Sequence, residues 1–522
     1  MSEFFWGVAT SAYQSEGGYN GPGQPQTNWA AAERRRDVAH SGLAADFWNR
    51  YPEDFARCRE LGLNAFRLGI EWSRVQPTFV DQAGPPPPFD HQALDHYVDI
   101  LADCRQNGLE PIVTLHHFVH PSWLGTDPWL GPEVTQHFCR FARESVLYIN
   151  RALTDRHGLP PIRYYITINE PNMFVLNTYL GTQFPGRGKK THGLRTLLEV
   201  YSRILITHVR TYNLIHGIYA DQGWPEPSIT LNNYCSDLYW SDKILLDLLS
   251  VRERGVRLDT LRDYIFEKIS EFDEAFSEAK IPLKKDIPYF FGAYSKKISN
   301  WLGYKTFMPE YLASFVEELY AAERESAFDY IGLDYYDPFV AHMFRVPVWW
   351  DHEFKNKSLR SWLMNSVTSK WWDWRILPDG MHFFCDYYSK EFGNRPVLIV
   401  ENGMAVRRRS DNKNTLRRDR MTRSHFLRVH IEKIISIMRS DIPLIGYLHW
   451  SLFDNYEWGT FTPRFGLYSI NYAKDSTRLV EDHLGDRPSA TYAQLIQLSR
   501  EQTQESEARS AEERLGEASG LR

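Results

Sequence analysis

Pro396-Val-Leu-Ile-Val-Glu401-Asn402-Gly403 sets an unbroken apolar, largely β-branched run directly before a carboxylate, and a glycine two residues on interrupts it. A short apolar run closed by a turn signal reads as a strand buried on both faces, as in a parallel sheet. A glutamate at the end of such a strand stands where barrels and open α/β sheets carry their chemistry. One such acid is commonly structural, exposed or paired with a helix. A second stretch, Tyr164-Tyr-Ile-Thr-Ile-Asn169-Glu170-Pro171, repeats the arrangement. Two buried strands that deliver carboxylates to equivalent positions make this pair the leading functional candidate.

Working outward, eight strand-like runs emerge: Phe4–Ala9, Ala65–Ile70, Pro111–Leu115, Tyr164–Ile168, Ser228–Leu231, Tyr330–Leu333, Val397–Val400 and Ile445–Leu448. Helical patterns such as Asp46–Leu61 and Phe89–Asn107 separate them. Alternating buried strand and helix predicts an α/β fold with a parallel sheet, and eight units predict a closed (β/α)8 TIM barrel. An open doubly wound sheet for dinucleotides is the competing architecture, but no GxGxxG turn follows the first run; Gly17-Gly18 and Gly21-Pro22-Gly23 mark only a loop.

The connections are unequal. Roughly 95 residues separate the fifth and sixth runs, far more than an ordinary crossover. Ile244–Leu249 and Leu258–Phe276 have helical periodicity there, which predicts an inserted helical layer on the barrel rim. The next connection carries Trp349, Trp350, Trp362, Trp371, Trp372 and Trp374, some for packing and others as candidates to line a pocket's approach. Residues 1–490 read as one catalytic domain with elaborated loops. The charged segment 491–522, rich in Glu, Arg, Ser and Gln, is expected to be a frayed or disordered tail.

Composition narrows the functional classes. The 522 residues are 43% hydrophobic and 24% charged with net charge −6, which suits a soluble globular protein and leaves no nucleic-acid footprint. Aromatics reach 15%, with 17 Trp and 29 Tyr, which suits binding of flat, partly apolar ligands. Cys58, Cys104, Cys139, Cys235 and Cys385 are scattered and form no CxxC pair, a pattern of reduced cytosolic thiols. Met1-Ser-Glu-Phe-Phe-Trp-Gly has neither a basic n-region nor an apolar h-region. No run approaches the ~18 apolar residues of a membrane span. A cytoplasmic location without a membrane span is therefore expected.

Residues at or just past the strand ends are unusually rich in hydrogen-bonding and aromatic groups. They include Gln14 and Glu16, Arg67 and Glu71, His116 and His117, Asn169 and Glu170, Asp334 to Tyr336, Glu401 and Asn402, and His449 to Trp458. In a barrel these ends share one face, so the groups converge. His116 and His117 are adjacent and must point to opposite sides of a strand. HExxH, P-loop and GxSxG patterns are absent. No metal or cofactor is therefore expected, and the chemistry left is two carboxylates among neutral donors and aromatic faces.

That set suits glycoside hydrolysis, in which one carboxylic acid protonates the leaving oxygen and a second carboxylate attacks the anomeric carbon or activates water. Gln14, His117, Asn169 and Glu457 can bind sugar hydroxyls, and Trp450 and Trp458 can stack on the C–H face of a ring. A carboxylate near Arg67 would be held ionised, while one screened from cations and close to that charge would be held protonated. Spacing alone leaves open which glutamate has which surroundings.

The chain closely resembles the β-glycosidases of glycoside hydrolase family 1 up to about Ala490. Phe5-Trp-Gly-Val-Ala-Thr-Ser-Ala-Tyr-Gln14-Ser-Glu-Gly is similar to that family's N-terminal signature. Thr167-Ile-Asn169-Glu170-Pro171 resembles its acid/base motif, Val400-Glu401-Asn402-Gly403 its nucleophile motif, and Trp450-Ser-Leu-Phe-Asp-Asn-Tyr-Glu457-Trp458 its sugar-binding motif. The resemblance implies a retaining mechanism with Glu401 as nucleophile and Glu170 as acid/base. It also implies that Arg67 and Tyr336 support Glu401, that Gln14, His117, Asn169 and Glu457 hold hydroxyls, that Trp450 lies under the ring and that Trp458 adds a donor. No cofactor is implied. The expected activity is exo-hydrolysis of unphosphorylated β-D-glucosides, with β-D-galactosides and β-D-fucosides as further substrates. Transglycosylation and a non-catalytic carbohydrate-binding barrel are the alternatives. Glu170 is not the Gln of the thioglucosidase branch, and Glu457 to Arg464 lacks the Ser…Lys…Tyr set of the phospho-sugar members. Two departures stand out: Asp334 replaces the usual Asn before the Tyr-Tyr pair, and the segment after Trp458 is about one residue short.

Overall fold

Successive strand residues face two different apolar layers. Leu398 and Val400 join Ala9, Ala65, Ile112, Ile166 and Leu448 in one buried cluster. Their neighbours Val397 and Ile399 join Val8, Phe66, Val113, Tyr165 and Tyr447 in another. Side chains alternate along a strand, so the first cluster fills the inside of a closed sheet and the second lies between sheet and helices. Each buried Val, Leu or Ile contributes roughly 1.5–3 kcal/mol, which is why the strands read as continuous apolar runs.

The computed structural model describes residues 3–180, 184, 194–343, 370–472 and 476–519. The strands are β1 (Phe5–Ala9), β2 (Ala65–Gly69), β3 (Glu110–Thr114), β4 (Tyr164–Asn169), β5 (Ser228–Tyr234), β6 (Ile331–Asp334), β7 (Val397–Asn402) and β8 (Leu444–Trp450). They form a closed barrel in sequence order, β8 pairing in parallel with β1. The fold is the expected (β/α)8 barrel. Several strands run further at their C-terminal ends than the apolar runs suggest: β5 continues through Asn232 to Tyr234, and β7 through Glu401 to Asn402. The backbone ladder does not require apolar side chains, and of the added polar ones Asn232 and Glu401 point into the barrel mouth.

Helices α1 (Phe47–Glu60), α2 (His91–Gln106), α3 (Glu133–His157) and α4 (Leu194–Gln222) follow the first four strands. The long connection after β5 holds α5 (Lys243–Leu249), α6 (Leu261–Glu278), α7 (Ile287–Thr306) and α8 (Ala313–Ala321). The inserted helical layer is therefore present, with two helices more than the periodicity shows. Helices α9 (Asp379–Glu391), α10 (Arg423–Met438) and α11 (Pro488–Ser519) complete the chain's helical ring. Helix α11 runs across the expected boundary at residue 490. Helix α11 spans most of the segment expected as a tail, Tyr492, Ile496 and Ser499 are buried, and the Tyr492 hydroxyl donates to the Gly7 carbonyl at 2.9 Å. Trp349, Trp350 and Trp362 lie outside the described residues.

Two register shifts matter for the site. Ile166 pairs with Thr230, but Asn169 pairs with Asn232, so β4 carries one residue more than β5 across that interval. Likewise Leu333 pairs with Ile399 and Asp334 with Glu401, so β7 gains a residue against β6. An extra residue reverses the alternation that follows it. Both shifts fall immediately before the two candidate carboxylates.

Candidate active site

Glu401 is the last residue but one of β7, and the shift at Val400 turns it into the barrel mouth. Gly403 follows where a Cβ would strike the Trp450 carbonyl, so the chain can leave β7 close against β8 only with glycine there. Arg67, fully buried on β2, donates through Nη1 to Glu401 Oε1 at 2.6 Å. The Tyr336 hydroxyl donates to Glu401 Oε2 at 2.8 Å. Both carboxylate oxygens are thus held by donors, one of them cationic. Burial raises the Glu401 pKa, while Arg67 and Tyr336 pull it down.

Glu170 directly follows β4 and caps the short helix Pro171–Val175. Its backbone is left-handed, φ 38° and ψ 61°, an uncommon state for a residue with a side chain, fixed by Glu170 N donating to Asn232 O at 2.9 Å. No arginine reaches its carboxyl among the described residues. Burial first, and then the nearby charge of Glu401, push its pKa well above the ordinary glutamate value. The two glutamates are therefore unequal, with Glu401 the more readily ionised.

Asp334, at the end of β6, completes the cluster. One carboxylate oxygen from each of Glu170, Asp334 and Glu401 lies within 4.8 Å of the others. Asp334 Oδ2 accepts from Asn232 Nδ2, and burial followed by the charges of Glu401 and Glu170 raises the Asp334 pKa well above normal. The contact between Asp334 and Glu170 raises the pKa of the former and lowers that of the latter. These three acids are also the group among the described residues that could converge on a cation. The space between them already receives the Arg67 guanidinium and the donors of Asn232 and Tyr336.

The other expected site residues gather around this centre. Arg67 Nη2 donates to Asn169 Oδ1, which also accepts from Asn232 at 2.8 Å. Asn169 Nδ2 is 3.4 Å from His117 Nε2, and the His117 ring lies parallel to Trp450 at 5.7 Å. His117 is held neutral by burial and by Arg67. His116 faces the other way, packed against Trp129 and Phe174. Glu457 accepts from Gln14 Nε2 at 3.0 Å and from Trp450 Nε1 at 3.2 Å, yet burial still pushes its pKa up to about 8. Trp458 stands edge-on to Trp371 at 5.6 Å.

A narrow cavity opens above the carboxylates, lined by His117, Tyr336, Trp450, Glu457 and Trp458, and by Trp371 and Trp374 of the connection after β6. The sequence reading missed Asn232, which bridges Asn169 and Asp334, and Tyr234, which stacks on Tyr336 at 5.8 Å. Their signal was present, since Asn232-Asn233-Tyr234 follows an apolar run as the other strand-end groups do. Phe465 also lines the cavity from a segment with no strand-end signature.

The family model of Glycosyl hydrolase family 1 matches residues 1–245 and 275–494. The unmatched residues 246–274 contain most of α6. Among curated proteins, coniferin beta-glucosidase of Pinus contorta is 27% identical over 525 residues, covering 91% of this chain and 89% of that protein. Beta-glucosidase 47 of Arabidopsis thaliana is 26% identical over 493 residues, covering 90% and 81%. Among solved structures, the beta-glucosidase from Thermotoga maritima in complex with castanospermine superposes with TM-score 0.62 at 20% identity, covering 95% of this chain and 98% of that one. That likeness carries the fold, while the family match extends over nearly the whole sequence and includes both strand-end glutamates. The chain is a glycoside hydrolase and belongs to glycosyl hydrolase family 1.

Proposed function

We propose that this protein is a retaining, exo-acting β-glycosidase that removes terminal unphosphorylated β-D-glucosyl groups. The observation that carries this reading is the inequality of two close carboxyls: Glu170 and Glu401 present oxygens within 4.8 Å, and only Glu401 is held by Arg67 and Tyr336. Retaining glycosidases place their carboxyls roughly 5–5.5 Å apart, whereas inverting enzymes need roughly 6.5–9.5 Å to admit a water.

In this mechanism the ionised Glu401 attacks the anomeric carbon while Glu170 gives its proton to the departing oxygen. A covalent glycosyl-enzyme forms and the aglycone leaves. Glu170, now a carboxylate, takes a proton from water, whose oxygen attacks the same carbon and releases Glu401. Gln14, His117, Asn169 and Glu457 hold sugar hydroxyls, Trp450 lies under the ring and Trp458 donates at its edge. Asn232 keeps Asn169 and Asp334 in place. The glucoside preference is supported by relatives whose names are beta-glucosidases; β-galactosides and β-fucosides are further substrates of the same reading.

Proton NMR of an aryl β-glucoside during turnover tests it. The β-anomer of glucose should accumulate first and mutarotate afterwards. Initial release of the α-anomer, or no turnover across aryl β-glycosides, would overturn the proposal.

A further inference from the structure

Helix α7 is turned inside out. Its inward side carries Gly292, Lys296, Asn300 and Gly303, a helical spacing of small and polar residues. A Cβ on Gly292 would strike the backbone of Ala341, and one on Gly303 the ring of Trp240, so this side is pressed against the body of the protein. Lys296 Nζ lies 2.9 Å from Asp273 Oδ1, and Asn300 Nδ2 donates to Asp273 Oδ2 at 2.8 Å, both on α6. The outward side bears the large apolar groups: Phe290, Phe291, Tyr294 and Trp301 are each 60–65% exposed. Nearly half of the exposed large hydrophobic side chains among the described residues fall between Ile287 and Met308, so this is one face and not scattered surface.

Charge says what could cover it. Between Lys284 and Thr306 there are five lysines and one acid, on a chain of net charge −6. Lys284, Lys285, Lys297 and Lys305 are exposed, while the acid, Asp286, is tied to Arg375 and caps the helix. Aromatic and aliphatic groups on one side, flanked by lysines, are the composition of a helix that lies in the headgroup region of an anionic bilayer. No helix among the described residues is long and apolar enough to cross a membrane, so such a helix would lie on the surface.

The position is also informative. Arg375, which holds Asp286 at the start of α7, directly follows Trp374, and Trp374 lines the cavity. We propose that the outward face of α7 docks onto an anionic lipid bilayer and so brings the mouth of the carboxylate cavity to β-glycosides whose aglycone is embedded in that membrane. The substrate half rests on the glycosidase reading above; the docking half does not.

The test is sedimentation of the full chain with vesicles of phosphatidylcholine alone or with about 30% phosphatidylglycerol, an anionic surface of ordinary strength. The protein should pellet with the anionic vesicles only. The combined variant Phe290→Ser, Phe291→Ser, Trp301→Ser should bind at least ~10-fold more weakly, and so should Lys284→Glu, Lys285→Glu, Lys297→Glu. Both should hydrolyse a soluble aryl β-glucoside at the parent rate. Both should be at least ~10-fold slower on a long-chain alkyl β-glucoside presented in the anionic vesicles. A parent chain that stays in the supernatant with both vesicles overturns docking. So does a dimer in sedimentation equilibrium that the Phe290 variant makes monomeric, since the face would then belong to a second copy. Equal rates on the vesicular glucoside overturn the substrate half. Vesicle binding by a chain that hydrolyses neither glucoside leaves docking standing and overturns the proposed function instead.

Discussion

The ends of β4 and β7 are built alike and charged differently. Each strand gains one residue against a neighbour just before its glutamate, and each glutamate turns into the same mouth. Beyond that they part. Glu401 has a guanidinium on one oxygen and a phenol on the other. Glu170 has another acid, Asp334, beside it and the charge of Glu401 across the cavity. In the proposed mechanism one side chain type therefore supplies both a nucleophile and an acid, and the neighbours contributed by β2 and β6 make the difference.

Exchanging either glutamate for its amide tests how deep that difference goes. Glu401→Gln removes the covalent route, so kcat on any β-glucoside should fall at least ~1000-fold, equivalent to about 4 kcal/mol in the barrier. A loss of less than ~10-fold would mean the β7 side is not the nucleophilic one. Glu170→Gln should cost ~10²–10⁴-fold on alkyl glucosides, whose leaving group needs a proton, and much less on aryl glucosides with acidic phenols. The Glu401 loss should be the same for both. Equal dependence on leaving group in the two variants would erase the comparison.

The supporting groups should act more gently and through pH. Arg67 is a poor probe, because removing one partner of a buried pair costs roughly 3–5 kcal/mol of stability and would blur any kinetic reading. Tyr336→Phe is cleaner. Its hydroxyl lowers the Glu401 pKa, so losing it raises that pKa and moves the acid limb of kcat/KM to higher pH, with a loss of about 10-fold at the optimum. An unmoved acid limb would show that the hydrogen bond does not set the charge. Asp334→Asn should have the smallest effect, a few-fold in kcat. Contact with Asp334 lowers the Glu170 pKa, and an amide is the weaker donor. Glu170 then keeps its proton to higher pH, and the basic limb should move up by a fraction of a unit.

Most of this architecture was visible in the chain because parallel strands must be apolar on both faces. Val397 to Val400 and Tyr164 to Ile168 cannot be much else, and a carboxylate ending such a run is conspicuous. Asn232 escaped because the apolar run stops at Leu231, although the strand continues to Tyr234. The unequal surroundings of Glu170 and Glu401 could not be read from spacing, since they depend on which strands stand beside each other around the barrel. Helix α7 was hidden by its own pattern: its apolar residues face outward, and glycine, lysine and asparagine face in. Polar composition also masked Tyr492 and Ile496, two buried side chains near the start of α11.

The extra residue in β7 means that the aim of Glu401 depends on parity. Val400 already faces inward, so ironing out the shift against β6 while keeping the strand's length would send the next carboxyl toward the outer helices, with every strand and donor still present. Register, counted modulo two, is as much a part of this centre as acidity.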